Sequence, residues 1–347
     1  MKRILFLYTE VAEYMLACIE HLAKDELEIH LVRWPINPEA PFQLRHIEGV
    51  KVYERNALSD LELQNLVKEF RPDVILTSGW GDKGYLKALK FAPDHAKRVL
   101  LFDNHWIGSV RQKVAALTSK WHVRKYFTHV WVPGKPQQSF AKKLGFSSDL
   151  VKMGVYCADI STFNGYYQEQ NLEKVVDYPK NFLFVGRYLE FKGIFDLWNA
   201  FSTFHKEHPD WTLTCLGTGD LWEQRMIQEG IEHVGFVQPQ DLGNYIRKAG
   251  VFILPSHKEP WGVVVHEMAA AGLPMIVSNE IGAASRFVEG NSNGFSFKSG
   301  NEQDLLLAMN SMALKSQKEL HAMGKKSHDL AQNLTPEIWK ETLLEFC

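Results

Sequence analysis

Short apolar runs that alternate with helical segments are the feature that most limits how this chain can fold. Each run is four to six residues long, which is typical of strands buried on both faces of a parallel sheet. In the first half of the chain the runs cover residues 3–8, 28–33, 50–53, 73–77, 98–102 and 129–132. In the second half they cover residues 182–186, 212–216, 232–235, 250–254, 274–277 and 294–297. The alternation predicts an α/β protein with parallel sheets.

The length of the chain favours two such sheets, each in a Rossmann-like domain. A chain of 347 residues is long for one core, and its 45% hydrophobic content supplies enough apolar material for two. Polar and loop-forming residues, among them Asn164, Gly165 and Pro179, predict the connection near residues 155–180. We therefore expect an N-terminal domain at residues 1–165, a C-terminal domain at 180–333 and a terminal helix at 334–347.

Cysteine usage and hydropathy indicate a protein of the cytoplasm. The four cysteines, Cys18, Cys157, Cys215 and Cys347, show no metal-binding spacing, which predicts thiols in a reducing compartment. The apolar run after Lys2 and Arg3 is too short for a signal peptide, and we interpret it as a first strand. No run reaches the roughly 20 apolar residues of a spanning helix.

Charge is unevenly distributed along the chain. Residues 1–165 hold 23 Lys and Arg against 18 Asp and Glu, whereas residues 166–347 hold 16 against 23. A helical stretch that also carries Trp121 and Tyr126 contains a basic cluster formed by Arg111, Lys113, Lys120, Arg124 and Lys125. The cluster is either a solvated helix face or a surface for a phosphate-bearing acceptor or an anionic membrane.

Residues 250–274 place two carboxylates on either side of a helix start. The run 250–254 predicts a strand, Glu259 follows it in a loop, and Glu267 lies inside the next helix. Pro260 suits a first helical turn, and Gly272 with a following proline is a stop signal. The N–H groups near Trp261, Gly262 and Val263 would then form the positive end of the helix, a site for a diphosphate.

This segment resembles the signature of retaining glycosyltransferases of family 4, in which two glutamates are separated by seven residues. Three further stretches resemble that family: Phe184–Gly193, with its Gly-Arg turn and Lys-Gly, Ser278–Ala283, and Met153–Tyr156 together with Phe163. The resemblance extends from about residue 150 to the end of the chain. It implies a GT-B fold, in which two Rossmann-like domains face a central cleft and a terminal helix packs back on the N-terminal domain.

The resemblance implies a role for individual residues of the C-terminal half. Arg187 and Lys192 would neutralise the diphosphate of a nucleotide sugar, Glu267 would bind the ribose, and Glu259 would hold the donor sugar. The rest of the donor pocket would be Gly186, Gly217, Trp261, Gly262, Val263 and Gly282. The alternatives are surface ion pairs for the two cations, helix packing for Glu267 and a solvated loop acid for Glu259.

The N-terminal half has a candidate site after the run 98–102. His105 lies where the family commonly has a histidine that contacts the donor sugar, although a structural histidine is the alternative. Asp103, Asn104 and Trp106 could bind an acceptor through hydrogen bonds and stacking. The first strand is followed by Thr9 and Glu10 rather than by the Gly-Gly loop that is usual in the family.

Together with these observations, the resemblance implies a retaining glycosyltransferase that moves a sugar from a UDP- or GDP-linked donor to an acceptor hydroxyl in glycan, lipopolysaccharide or other surface polysaccharide synthesis. We expect no metal cofactor, because cationic side chains can balance the leaving group. The expected partners are the donor, a glycan or lipid-linked acceptor and the cytoplasmic face of an anionic membrane, without nucleic acid. The alternatives are a GT-B sugar-nucleotide epimerase or hydrolase and a non-catalytic sugar-nucleotide-binding paralogue.

Overall fold

The computed structural model describes residues 1–36 and 46–347 and divides into two compact units. The N-terminal unit comprises residues 1–157 and 334–347, and the C-terminal unit comprises residues 158–333. Each unit is built on its own parallel sheet, so the predicted α/β architecture with two Rossmann-like domains is confirmed.

The described part of the N-terminal unit contains a seven-stranded sheet with the order β3-β2-β1-β4-β5-β6-β7. Its strands are β1 (Lys2–Tyr8), β2 (Leu27–Arg33), β3 (Val50–Glu54), β4 (Val74–Ser78), β5 (Lys97–Leu101), β6 (His129–Val132) and β7 (Val151–Met153). Its first helices are α1 (Glu13–Leu22), α2 (Asp60–Phe70), α3 (Lys83–Ala88), α4 (Val110–His122) and α5 (Lys135–Lys143). Helices cover both faces of the sheet, and residues Ile4 to Leu7 of the central strand β1 are therefore fully buried.

The C-terminal unit, described in full, has a six-stranded sheet with the order β10-β9-β8-β11-β12-β13. Its strands are β8 (Asn181–Val185), β9 (Thr212–Leu216), β10 (Ile231–Gly235), β11 (Val251–Leu254), β12 (Met275–Ser278) and β13 (Gly294–Phe297). Its helices are α6 (Ile160–Val176), α7 (Ile194–Glu207), α8 (Gly243–Lys248), α9 (Val263–Ala270), α10 (Ala284–Phe287), α11 (Glu302–Ala313) and α12 (Gln317–Ala331). The strand order reverses between β8 and β11, and ligands of open α/β sheets bind at such points.

The segment that we expected to be a loop connection is largely α6. Despite Asn164 and Gly165, the helix runs from Ile160 to Val176 and buries Gln170 and Lys174. Gln170 Nε2 donates to the carbonyl of Ala271 at 2.6 Å, and Lys174 Nζ donates to the carbonyl of Ile246 at 3.4 Å. Packing against α8 and α9 therefore decides the structure of this segment, rather than local propensity.

The last helix, α13 (Pro336–Leu344), belongs to the N-terminal unit. The Thr335 side chain caps it by accepting a hydrogen bond from the Ile338 N–H, and the helix packs against α1. Trp339 is fully buried and donates from Nε1 to the carbonyl of Val155 at 2.8 Å. None of the described helices combines the length and the apolar character that crossing a bilayer requires.

Candidate active site

Lys192 lies at the end of a short turn that follows strand β8. Gly186 and Arg187 come directly after the strand, and the 3₁₀ turn Glu190–Lys192 leads through Gly193 into α7. Gly193 has a φ of 67°, and a Cβ atom there would lie 2.3 Å from the carbonyl oxygen of Pro255. Only glycine allows this turn to lie so close to the chain that leaves β11.

Lys192 and Glu259 form an ion pair, although 67 positions separate them in the chain. Lys192 Nζ donates to Glu259 Oε2, and the two side chains are only 14% and 13% exposed. The pair lies at the carboxyl ends of the neighbouring strands β8 and β11. The structure therefore brings together the predicted diphosphate cation and the predicted sugar carboxylate.

The predicted sugar loop lies directly beside Glu259. The Glu259 carbonyl accepts a hydrogen bond from the Gly282 N–H at 3.1 Å, and Glu259 pairs with Ile281 in a short parallel bridge. A Cβ atom on Gly282 would lie 2.1 Å from the carbonyl oxygen of Pro260. Gly282 is therefore explained by close packing of two loops, and this packing also fixes the position of Glu259.

Helix α9 begins at Val263, so the prediction that Pro260 occupies its first turn is wrong. Gly262 precedes the helix with a φ of 86°, a conformation that glycine adopts without strain. A Cβ atom at Gly262 would lie 2.8 Å from Glu259 Cγ. A residue with a side chain therefore could not pack as closely against Glu259 as Gly262 does. The first N–H groups of α9 have no acceptor within the helix, and Gly262 and Val263 lie at this positive end.

Trp261 is buried rather than available for stacking. Its side chain is 2% exposed and meets Phe287 edge-on at 6.4 Å between ring centroids. The indole Nε1 finds no hydrogen-bond partner among the described residues. Any contact between Trp261 and a donor would therefore use the backbone.

Glu267 is a carboxyl group that titrates near neutral pH. Burial, together with the smaller effect of the negative charge of Asp159, raises its pKa from 4.5 to about 7. Asp159 Oδ2 accepts a hydrogen bond from Thr162 Oγ1 at 2.7 Å at the start of α6. Two carboxyl groups thus approach one another inside the C-terminal unit, and a hydrogen-bond donor placed near Glu267 would relieve their repulsion.

The neighbouring His266 has a structural role. Its Nδ1 accepts from the Ala158 N–H at 3.1 Å, so Nε2 carries the proton and donates to the Ala331 carbonyl at 3.0 Å. Burial lowers the pKa of this imidazole to about 3, and the ring stacks on Phe287. His266 therefore stays neutral. Its two hydrogen bonds join α9 to Ala158, just before α6, and to Ala331, the last residue of α12.

Gly186 and Gly217 lie at the ends of adjacent strands. Gly217 has a φ of 132°, and a Cβ atom there would lie 2.0 Å from the Gly186 carbonyl oxygen. The Tyr188 N–H donates to the Thr218 carbonyl at 2.9 Å, which joins the two loops. The close approach of two backbones explains Gly217 without a ligand.

His257 and Asp196 form a pair that the sequence analysis missed. His257 Nε2 lies 2.6 Å from Asp196 Oδ2, and the His257 N–H donates to the Phe191 carbonyl at 2.7 Å. The pair ties the loop that carries Glu259 to the first turn of α7. The only sequence signal was position: His257 follows a predicted strand, and Asp196 lies just inside a predicted helix.

The N-terminal unit contains a cavity of about 250 Å³ near the carboxyl ends of β1, β4 and β5. Asp103 and Asn104 line it, together with Glu10 and Ser78. The lining also includes three tyrosines that the sequence analysis did not assign to an acceptor site: Tyr8, Tyr14 and Tyr156. Their signal was positional, since Tyr8 ends the first strand and Tyr156 follows the last strand of the sheet.

The described lining of this cavity does not include His105 or Trp106. The Trp106 ring packs against Phe140 at 5.6 Å, and Lys143 Nζ lies 4.8 Å from its centroid. The His105 carbonyl accepts a hydrogen bond from Gln112 Nε2 at 2.7 Å. Trp106 therefore lies outside the described lining to which Asp103 and Asn104 contribute, and stacking of an acceptor on its ring stays a prediction.

Within residues 1–36 and 46–347, no three His, Cys, Asp or Glu side chains gather as a metal site would require. Comparison with protein families gives a match in the C-terminal half. Residues 168–329 match the family of glycosyl transferases group 1. Lys192, Glu259 and Glu267 all lie within the matched region.

Two curated relatives each match about a third of the chain. The glycogen synthase of Mycobacterium tuberculosis is 33% identical over 119 residues, which are 32% of this chain and 29% of that protein. The alpha-monoglucosyldiacylglycerol synthase of Acholeplasma laidlawii is 32% identical over 127 residues, 35% of this chain and 32% of that protein. Each match spans about a third of the relative's own length.

Solved structures match nearly the whole chain at low sequence identity. HepE from Anabaena, solved with UDP and glucose, is 18% identical with a TM-score of 0.71 over 99% of each chain. A glycosyltransferase from Rickettsia africae is 15% identical with a TM-score of 0.74 over 99% of this chain and 97% of that chain. These similarities confirm the predicted GT-B fold.

Proposed function

We propose that the protein is a retaining glycosyltransferase of family 4 that transfers a sugar from a nucleoside diphosphate sugar to an acceptor hydroxyl. The observation that carries the proposal is the Lys192–Glu259 pair, held at the carboxyl edge of the second sheet beside the N-terminus of α9. The pair offers a cation and a carboxylate within one site, as a charged diphosphate and a sugar with hydroxyl groups require. The match of residues 168–329 supports the assignment.

Leaving-group stabilisation would supply most of the catalysis. When the bond between the anomeric carbon and the phosphate oxygen breaks, negative charge develops on the diphosphate. Arg187, Lys192 and the first N–H groups of α9 would stabilise that charge, and cationic side chains rather than a metal would balance it. The acceptor oxygen would attack the same face of the sugar, and its proton would pass to the leaving phosphate oxygen.

The Lys192–Glu259 pair would open when the donor binds. Lys192 would turn to the diphosphate, and Glu259 would accept hydrogen bonds from hydroxyl groups of the donor sugar. Glu267, four residues into α9, would accept hydrogen bonds from the ribose in its ionised form. Each carboxylate would thus hold a different part of one donor molecule.

The acceptor would occupy the N-terminal cavity that Asp103 and Asn104 line. Relatives named glycogen synthase and alpha-monoglucosyldiacylglycerol synthase support a glycan or a lipid-linked acceptor, hence a role in surface polysaccharide or glycolipid synthesis. HepE, solved with UDP and glucose, supports a UDP-linked donor, and a GDP-linked donor is the alternative to test. We place the reaction in the cytoplasm, since the buried Cys215 thiol suits a reducing compartment.

A panel of UDP- and GDP-linked sugars, scored by thermal shift, tests the donor assignment, because a ligand stabilises the protein according to its affinity. Transfer from the best donor is then followed with glycan and glycolipid acceptors, and NMR of the product reports the anomeric configuration. Inversion would contradict the retaining assignment. Epimerisation or rapid hydrolysis of the donor alone would indicate an epimerase or hydrolase, and tight donor binding without any product would indicate a binding protein.

A further inference from the structure

Helix α4 directs its large apolar side chains toward solvent. Leu117 is 80% exposed, Val114 is 52% exposed, and Val110 and Trp121 lie between these values. At about 100° of rotation per residue, these four positions fall within an arc of about 60°. They form one continuous apolar row, which we name the α4 row.

The opposite face of α4 carries small and polar residues toward the protein. Ser119 is buried and donates from Oγ to the Leu144 carbonyl at 2.7 Å. Gln112 bonds the carbonyl of His105 and accepts from the Ile107 N–H at 2.8 Å. An ordinary surface helix turns its apolar stripe to the core, so packing within the protein does not explain the α4 row.

Positive charge borders the α4 row on both sides. Lys113 and Lys120 lie along one side, Arg111 lies on the other, and all three are exposed. From residue 104 to residue 148 the chain contains eight Lys and Arg and no Asp or Glu. An exposed apolar row within a basic segment that lacks Asp and Glu matches the two parts of an anionic membrane surface, its phosphates and its acyl boundary.

We propose that α4 is a docking helix for the surface of an anionic lipid bilayer. The α4 row inserts at the boundary between headgroups and acyl chains, while Arg111, Lys113 and Lys120 contact the lipid phosphates. A second copy of the chain fits less well, because pairing two such faces brings like charges together. A polyanion such as nucleic acid would match the cations but leave the apolar row exposed.

Vesicle co-sedimentation tests this proposal without donor or acceptor, so its result is independent of the proposed function. The protein should bind vesicles of phosphatidylcholine mixed with phosphatidylglycerol at low salt, and bind less at high salt. Leu117→Ser and Trp121→Ser should each weaken binding by about tenfold, since each removes one inserted apolar side chain. Leu314→Ser is the matched control, because Leu314 is equally exposed at the end of α11 and should leave binding unchanged.

The charge component has its own matched pair of variants. The triple change Arg111→Glu, Lys113→Glu and Lys120→Glu should lower binding by about fivefold or more per residue and remove most of its salt dependence. The control triple, Lys24→Glu, Lys206→Glu and Lys318→Glu, changes the net charge equally at exposed sites elsewhere and should retain most of the binding. Circular dichroism checks that all variants fold.

Several results would overturn the proposal. One is the absence of wild-type binding to the phosphatidylglycerol vesicles, and another is equal binding by the two triple variants. Equally strong binding to vesicles of phosphatidylcholine alone would remove the part assigned to the cations. Sedimentation velocity without lipid completes the test, because a dimer that Leu117→Ser dissociates would assign the α4 row to a second copy of the chain.

Discussion

The Lys192–Glu259 pair links the chemistry of the site to its folding. Both side chains are mostly buried, so each charge depends on the other for its electrostatic balance in the ligand-free protein. Removing one partner leaves the other charge poorly solvated and without its ion pair. A mutation here should therefore affect both stability and turnover, unlike a change at an exposed lysine.

We predict that Lys192→Ala lowers turnover by about 10²–10³, the scale of losing one preorganised charge-stabilising group. The same variant should lower the free energy of unfolding by about 1–3 kcal/mol, because Glu259 loses its partner. Adding Glu259→Gln to Lys192→Ala should restore much of the stability but none of the activity. Denaturant unfolding and steady-state kinetics measure both effects.

Lys206→Ala on the exposed side of α7 is the control for these variants, and it should leave both properties unchanged. Near-normal turnover of Lys192→Ala, together with normal turnover of Arg187→Ala, would remove the assignment of these cations to the diphosphate.

The raised pKa of Glu267 makes stability depend on pH. Its folded pKa of about 7 exceeds its ordinary value of 4.5, so the folded protein holds this proton more tightly than the unfolded chain. The contribution to stability is complete below about pH 4.5 and is lost as the pH rises to about 7, with a total of at most about 3 kcal/mol. Glu267→Gln should remove this component from the pH profile of unfolding.

Donor affinity should change with pH in the opposite direction. The proposed ribose contact requires ionised Glu267 as the acceptor, so nucleotide-sugar binding should strengthen as the pH rises through about 7. Calorimetric titration of wild type and Glu267→Gln measures this, with Glu259→Gln as the control that retains the pH dependence. A wild-type affinity that does not vary across this range would contradict a ribose contact by Glu267.

At the scale of elements, the turn before α7 and the loop after β11 form one rigid arrangement. Gly193 permits the approach to Pro255, His257 pairs with Asp196, and the loop then places Glu259 against Lys192. The position of the ion pair is thus set by backbone contacts outside the pair itself.

We predict that Gly193→Ala lowers the free energy of unfolding by about 2 kcal/mol or more and also lowers transfer activity. The substitution combines a left-handed backbone with a Cβ atom 2.3 Å from the Pro255 carbonyl oxygen. Gly300→Ala is the matched control: its φ of 70° is similar, but no described atom beyond its chain neighbours lies within 4 Å of the added Cβ. It should cost about 1–2 kcal/mol and leave activity intact. Equal effects of the two variants would show that backbone conformation, not the contact with Pro255, explains Gly193.

The sequence predicted most strands because each is a short run that is rich in apolar residues. All twelve predicted strands are present among the described residues, with ends within one residue of the prediction. Strand β7 was missed because its three residues are too few to form a pattern. Helix α6 was missed because its stability comes from contacts such as that of Gln170 with Ala271, which local sequence does not reveal.

The candidate site was less predictable than the strands. The loop position of Glu259 and the helical position of Glu267 followed from local pattern, and the structure has both. The meeting of Lys192 with Glu259 depends on which strands are neighbours. The tyrosines of the N-terminal cavity come from the end of β1, from α1 and from the segment after β7. The burial of Trp261 and the partial burial of Trp106 likewise depend on partners, Phe287 and Phe140, that are distant in the chain.

At the scale of the whole molecule, the chain builds the N-terminal unit from both of its ends. Residues 1–157 form most of this unit, and residues 158–333 form the C-terminal unit. The chain then returns, and residues 334–347 complete the N-terminal unit. The Trp339 side chain anchors the returning segment, stacking on Phe6 at 6.5 Å and packing at 5.0 Å from Trp131. Loss of the last helix should therefore affect the first strand of the protein.

We predict that Trp339→Ala destabilises the N-terminal unit by about 3–5 kcal/mol, the scale of truncating a buried aromatic side chain. Trp339→Phe should cost less, because it retains most of the packing and loses mainly the hydrogen bond to the Val155 carbonyl. Hydrogen exchange followed by mass spectrometry measures the effect in each unit. Amides of β1 and β6 should lose protection in Trp339→Ala, whereas amides of β8 and β11 should retain it, since α13 belongs to the N-terminal unit alone. Equal loss of protection in both sheets would show that the two units unfold as one, and unchanged protection in β1 would show that α13 does not stabilise that sheet.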